Sequence, residues 1–142
     1  QSNVSRDQVL PMLNDVRAQA RTCGNKTMAA APPLTWNDRL VAAADSHSLY
    51  MRDAETISHS GPNNSSVGDR VTAQGYVWAR TGENIGAGYP TVGGVIDGWL
   101  ESTDHCQLLM DPGFEEVGVS QVLGGAESTY SDYWTLVVGV AR

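Results

Sequence analysis

The stretch W-L-E-S-T-D-H-C-Q-L-L-M-D-P-G-F-E-E-V-G-V, residues 99–119, is where the chain changes its periodicity. Upstream of it, Val92, Val95, Ile96 and Trp99 recur at helical spacing, so a helix is expected over about Thr91–Ser102. Downstream of the Pro-Gly turn, Val117-Gly118-Val119 opens a strand that alternates from Glu116 to Leu123. Alternation puts Glu115 on one face with Val117 and Val119. Glu116 falls on the other, with Gly118 and Ser120. His105 and Cys106 stand side by side between the two elements, with His105 at a helix end.

A second strand is expected over Tyr133–Val140, joined to the first as an antiparallel hairpin by a Gly/Ser-rich loop. Gly82-Glu83-Asn84-Ile85-Gly86 is too glycine-rich for a helix, and Tyr76–Ala79 reads as a brief extended segment. A short helix over Val67–Gln74 is closed by Gly75. Residues 56–66 carry Ser, Gly, Pro and Asn in quick succession and form an irregular loop. A longer helix, capped by Thr35 or Asn37, runs to about Asp53 with Leu40, Ala43, Ala44, His47 and Met51 on its apolar face. Before it, Ala31-Pro32-Pro33 is extended by proline geometry. The first helix is expected over Ser5–Arg21, with Pro11 either in its first turn or marking a late start. Helices first and strands last give an α+β class.

At 142 residues, 1–142 reads as one domain able to bury its own core. Nine basic against 16 acidic residues leave a charge of −7, which repels a phosphate backbone and excludes nucleic acid as a partner. No apolar run reaches the roughly 18–20 residues of a transmembrane segment. The chain opens at Gln1 without a Met or a signal pattern, as a processed N-terminus would. Cys23 and Cys106 are too far apart for the usual thiolate zinc spacing. They are either two buried thiols or one disulfide. The disulfide would close a loop of more than eighty residues and place the chain in an oxidising, extracytoplasmic compartment.

The chemistry-bearing residues are few. Of three histidines, His47 lies on an apolar helix face and reads as a buried structural imidazole. His59 sits in the loop Ile57-Ser58-His59-Ser60-Gly61-Pro62, where a rigid scaffold can aim it into a cleft. Glu83 stands among glycines that allow another element to come close. Ser60 and Ser102 are the hydroxyls nearest the histidines in sequence, and neither sits in a G-x-S-x-G elbow.

Taken in order, these pieces form a longer pattern. Ile57-Ser58-His59-Ser60-Gly61 precedes Gly82-Glu83-Asn84-Ile85, then Trp99-x-x-Ser102-x-x-His105, then Pro112-x-Phe114-x-Glu116-Val117-Gly118-Val119, then Tyr133-Trp134-Thr135. Leu13-Asn14-x-x-Arg17 and Leu34-Thr35-Trp36-Asn37 extend it upstream. The whole resembles a CAP-superfamily (SCP) domain, the family of cysteine-rich secretory proteins, antigen 5 and pathogenesis-related 1, in its compact bacterial form. The resemblance implies a three-layer α-β-α sandwich with a central antiparallel sheet. It also implies a cleft lined by His59, Glu83, His105 and Glu116. Glu116 takes the role of the second acid because eukaryotic relatives place theirs where this chain has Ser102. Cys23 and Cys106 occupy positions that similar bacterial sequences pair.

Two departures stand out. Asp104 replaces a glycine before His105 and is expected to favour its imidazolium. Gln107-Leu108-Leu109 replaces a small-Asn-hydrophobic run. Three readings of the cleft follow. It binds a small ligand or a divalent metal such as zinc at His59 and His105, without turnover. It is a metal- or His/Glu-dependent hydrolase. Or it is an architectural polar cluster in a protein that works through its surface. A secreted or periplasmic monomer is expected in each case.

Overall fold

Strand β6 (Asp132–Ala141) is the axis of the fold, and its alternation decides what lies on either side. Trp134, Leu136 and Val138 point one way; Tyr133, Thr135, Val137 and Gly139 point the other. The computed structural model describes residues 2–142, so Gln1 and its expected processing lie outside the described residues. The four-stranded sheet has the order β3 (Thr35–Trp36), β5 (Glu116–Leu123), β6, β4 (Trp78–Ala87). β4, β5 and β6 are antiparallel to their neighbours, whereas the two-residue β3 runs parallel to β5.

One face of the sheet carries the larger core. Val117, Val119, Trp134, Leu136 and Val138 pack there against Val9, Leu10 and Leu13 of α1 (Arg6–Arg17) and against Val95, Ile96 and Trp99 of α4 (Val92–Leu100). Burying each such side chain is worth about 1.5–3 kcal/mol before entropy is counted. The opposite face receives α2 (Asp38–Ala54) and α3 (Val67–Ala73), where Leu40, Ala43, Ala44 and Val71 meet Val137 and Tyr76. The chain is thus an α+β sandwich with helices on both sides of the sheet. α2 lies so close to β5 that a Cβ on Gly118 would fall on the backbone of Leu40 and Val41.

Four local readings are corrected. α1 ends at Arg17 rather than Arg21, because Arg21–Cys23 (β1) pairs with Lys26–Met28 (β2) in a small hairpin. Pro11 lies inside α1, which starts at Arg6 with Gln8 reaching back to the Ser5 N–H at 2.8 Å. The glycine-rich segment and Trp78-Ala79, the second half of the expected extended segment, belong to one ten-residue strand, β4, which leaves Tyr76 and Val77 outside it. Finally, α4 stops at Leu100 and a new helix, α5 (Thr103–Leu109), carries His105 in its first turn. A histidine there cannot serve the negative end of a helix dipole.

A buried arginine and a disulfide lock the layers. Arg17 is 1% exposed, and its guanidinium donates to the carbonyls of Pro32, Leu109, Asp111 and Phe114 at 2.8–3.4 Å. It ties α1 to the turn that delivers Glu115 and Glu116 into the sheet. Burial lowers its pKa, with Asp111 opposing. Cys23 and Cys106 form a disulfide between the β1–β2 hairpin and α5.

Candidate binding site around His59

The site starts from a buried ion pair. Glu83 faces the α2 side of the sheet, opposite Val137, and its side chain is 2% exposed. A carboxylate in such a place needs partners for both oxygens. Arg70 of α3 supplies one, with Nη2 donating to Glu83 Oε2 at 2.6 Å. His59 supplies the other, with Nδ1–H donating to Oε1 at 2.9 Å. The His59 ring itself is 59% exposed. The result is an imidazole fixed at one nitrogen by the interior, with the other nitrogen left to solvent.

Arg70 also holds the loop that carries His59. Its Nη2 donates to the His59 carbonyl at 3.0 Å and its Nη1 to the Ser65 carbonyl at 2.8 Å. The guanidinium comes this close because residue 61 is glycine: a Cβ there would lie 3.0 Å from Arg70 Nη1 and 2.7 Å from Ser65 Oγ. Between them the chain turns through Asn63 and Asn64, both at positive φ (56° and 58°), a conformation that asparagine tolerates better than most residues. His47, fully buried, completes the support. Its Nε2–H donates to the Ser58 carbonyl at 2.6 Å, and its Nδ1 has no partner among the described residues.

The electrostatics separate the histidines. The hydrogen bond to Glu83 raises the His59 pKa, with burial opposing and the Glu83 charge adding. Burial lowers that of His47, against the pull of Glu83. Burial also lowers that of His105, helped by the charge on His59. Asp104 does favour the His105 imidazolium, as expected, but is outweighed. The arrangement favours a proton on His59 over the other two.

His59 and Glu83 are in contact, then. His105 approaches β4 from the other side, where its backbone carbonyl accepts a hydrogen bond from Asn84 Nδ2 at 3.2 Å. An open pocket of about 410 Å³ is lined by His59, Glu83, Ser60, Asn64, Ser65, Ser66 and Val67. A second, of about 240 Å³, holds His105 with Ile57, Ile85, Tyr89 and Tyr130. Glu116 stays apart from both. It pairs with Gly139 while Glu83 pairs with Val137, so the two acids flank β6 about 10 Å apart across the strands. Tyr76 Oη donates to Glu116 Oε1 at 2.7 Å and Asn37 Nδ2 to Oε2 at 2.9 Å. Burial, then this bond, pushes the Tyr76 pKa up. Here Glu116 fastens the start of α2, which Asn37 caps, to the sheet.

A zinc ion would have His59 and His105 as ligands and no third protein donor. Among the described residues no three His, Cys, Asp or Glu side chains gather closely enough to hold a metal. A metal at His59 and His105 would have to draw its remaining ligands from water. Both cysteines are committed to the disulfide. Arg70 is the residue the sequence reading missed. Its signal was weak: one cation beside Val67 and Val71 in a short helix whose apolar side has to face the core.

Known proteins resemble this chain in sequence and in fold. The sequence pattern of the Cysteine-rich secretory protein family matches residues 10–138. Bacillus subtilis YkwD is 30% identical over 94 residues, covering 66% of this chain and 37% of that protein. The B. subtilis membrane protein YlbC is 25% identical over 115 residues, 81% of this chain and 31% of its own. The chain therefore spans about a third of the curated relatives it matches. Among solved structures, an extracellular SCP-domain protein of Bacillus anthracis superposes with a TM-score of 0.75 at 25% identity, over 96% of this chain and 40% of that one. An outer surface protein of Borrelia burgdorferi does so with the same score at 17% identity, over the full length of both chains. The profile match across nearly the whole chain shows that it belongs to the cysteine-rich secretory protein (CAP) family.

Proposed function

We propose that this CAP domain is an extracytoplasmic binding module whose pocket at His59 takes a small polar ligand without turning it over. One observation carries the reading. A buried Arg70–Glu83 pair fixes His59, yet the ring it fixes is 59% exposed beside a pocket walled by serine and asparagine residues. A purely architectural cluster gains nothing from holding its outer member in water. Binding sites do gain, because a group oriented in advance loses less freedom when the ligand arrives.

Turnover is the weaker reading. Among the described residues the ring of His59 hydrogen-bonds to Glu83 and to no Ser or Thr hydroxyl, so no nucleophile–base pair is assembled. The extracellular location of the B. anthracis relative and the Cys23–Cys106 disulfide support a place outside the cytoplasm. No helix of the described residues is long and apolar enough to cross a membrane.

A screen of small polar fragments by amide NMR tests the proposal. Binders should shift residues 57–67 and 83–85, and His59→Ala should abolish those shifts. Fragments that bind equally well to His59→Ala would contradict it.

A further inference from the structure

The His59 pocket and the His105 pocket share no lining residue, yet they are walled by neighbouring positions of the chain. Ile57 lies two residues before His59, and Ile85 two residues after Glu83. The same loop and the same strand therefore wall both pockets in succession. In an extended strand two residues advance about 7 Å, so the pockets adjoin.

Their linings differ in a definite way. Around His59 the side chains of Ser60, Asn64 and Ser65 make no hydrogen bond to the rest of the described protein, leaving hydroxyls and an amide for a ligand. The second pocket presents aromatic surface. Tyr130 is 41% exposed and Ile57 40%. Tyr89 is seated against Gly98, where a Cβ would lie 2.6 Å from its hydroxyl, and against Gly86. Apart from the phenols of Tyr89 and Tyr130, the ionisable side chains of the combined lining are His59, Glu83 and His105, and Glu83 is already satisfied by Arg70 and His59. Lysine and arginine, which select phosphates and carboxylates, are absent from it. The net charge of −7 further disfavours polyanions.

Resting on the binding reading above, we infer that the two pockets are consecutive subsites for one neutral, hydroxyl-rich chain, an oligosaccharide. The Ser, Asn and His groups exchange hydrogen bonds with sugar hydroxyls, while Tyr89 and Tyr130 pack against the apolar faces of the rings. An extended peptide is the less suited occupant. Strand addition to β4 needs its outer carbonyls, and that of Ile85 already accepts from Trp99 Nε1 at 2.9 Å.

The test is amide NMR titration of the whole chain with tetra-N-acetylchitotetraose, cellotetraose and maltotetraose, and separately with a neutral tetrapeptide. At least one glycan should give saturable shifts in both 57–66 and 85–89. Tyr130→Ala should weaken that binding at least tenfold while leaving the midpoint of His59 titration unchanged, which shows the variant folded. Glycan shifts confined to the His59 pocket and indifferent to Tyr130→Ala would overturn the joined groove and leave the His59 reading standing. So would shifts with the peptide alone. No shift with any of the four probes also overturns the oligosaccharide inference, and the fragment screen then decides separately whether His59 binds anything.

Discussion

Arg70 Nη2 lies 2.6 Å from Glu83 Oε2, and this contact between α3 and β4 lets an exposed histidine stand in one fixed orientation. Both partners are buried, at 6% and 2% side-chain exposure, so neither is sustained by water. Removing one leaves the other as an uncompensated interior charge. Arg70→Met should therefore cost about 3–5 kcal/mol in urea unfolding. Adding Glu83→Gln to it should recover part of that loss, because the two sites share one interaction.

The three histidines should titrate in a defined order. His59, raised by Glu83, should have a midpoint above about 6.5; His47 and His105, lowered by burial, should fall below it. The signs for stability are opposite. The His59 contribution is fully present below about pH 6.5 and is lost as pH rises through its folded midpoint. Those of His47 and His105 are present above about pH 6.5 and are lost as pH falls through their folded midpoints. NMR titration of the ring protons checks the order, and Glu83→Gln should bring the His59 midpoint down.

Gly118→Ala should be among the most damaging single changes in the chain. The added methyl meets the α2 backbone at Leu40 and Val41, not a side chain that can turn away. A loss of about 3 kcal/mol or more, or failure to fold, is expected. Soluble yield and thermal unfolding read it out. Near-normal stability would mean that α2 and β5 are not in such contact.

The parts of this fold that were legible in the sequence are those with a clean period. α2, with its Asn37 cap, and the β5–β6 hairpin show their faces plainly, and so did the opposite placement of Val117 and Glu116. β4 was hidden because Gly82 and Gly86 interrupt its alternation. They are there for packing: a Cβ at Gly82 would lie 2.6 Å from Leu108, and one at Gly86 would crowd Val95 and Tyr89. The break between α4 and α5 did carry a signal, Ser102-Thr103-Asp104, which reads as an N-cap with an acid in the first turn. At the site, His59 and Glu83 could be named from motif and loop context. Their support by Arg70 and His47 could not, because it is made by side chains that meet only after α2, α3 and β4 have packed. Nor could the sequence show that Glu116 would be held by Tyr76 and Asn37.

The disulfide should matter for α5 in particular. It joins residues 83 positions apart and anchors the helix that carries His105. Cys23→Ser with Cys106→Ser should cost about 2–5 kcal/mol, measured against the oxidised wild type by chemical denaturation. Thiol titration of the unfolded, unreduced protein should find no free thiol.

The central claim is that His59 is held by the interior but does not hold the interior together. The unfolding free energy of His59→Ala tests it most directly. Because the ring is 59% exposed, its removal lets water take its place on Glu83 Oε1, so a loss of no more than about 1 kcal/mol at pH 7 is expected, with the His47 resonance still titrating below that of free imidazole in a peptide. A loss of about 3 kcal/mol, comparable to that of Arg70→Met, would make His59 a structural member of the cluster and contradict the account.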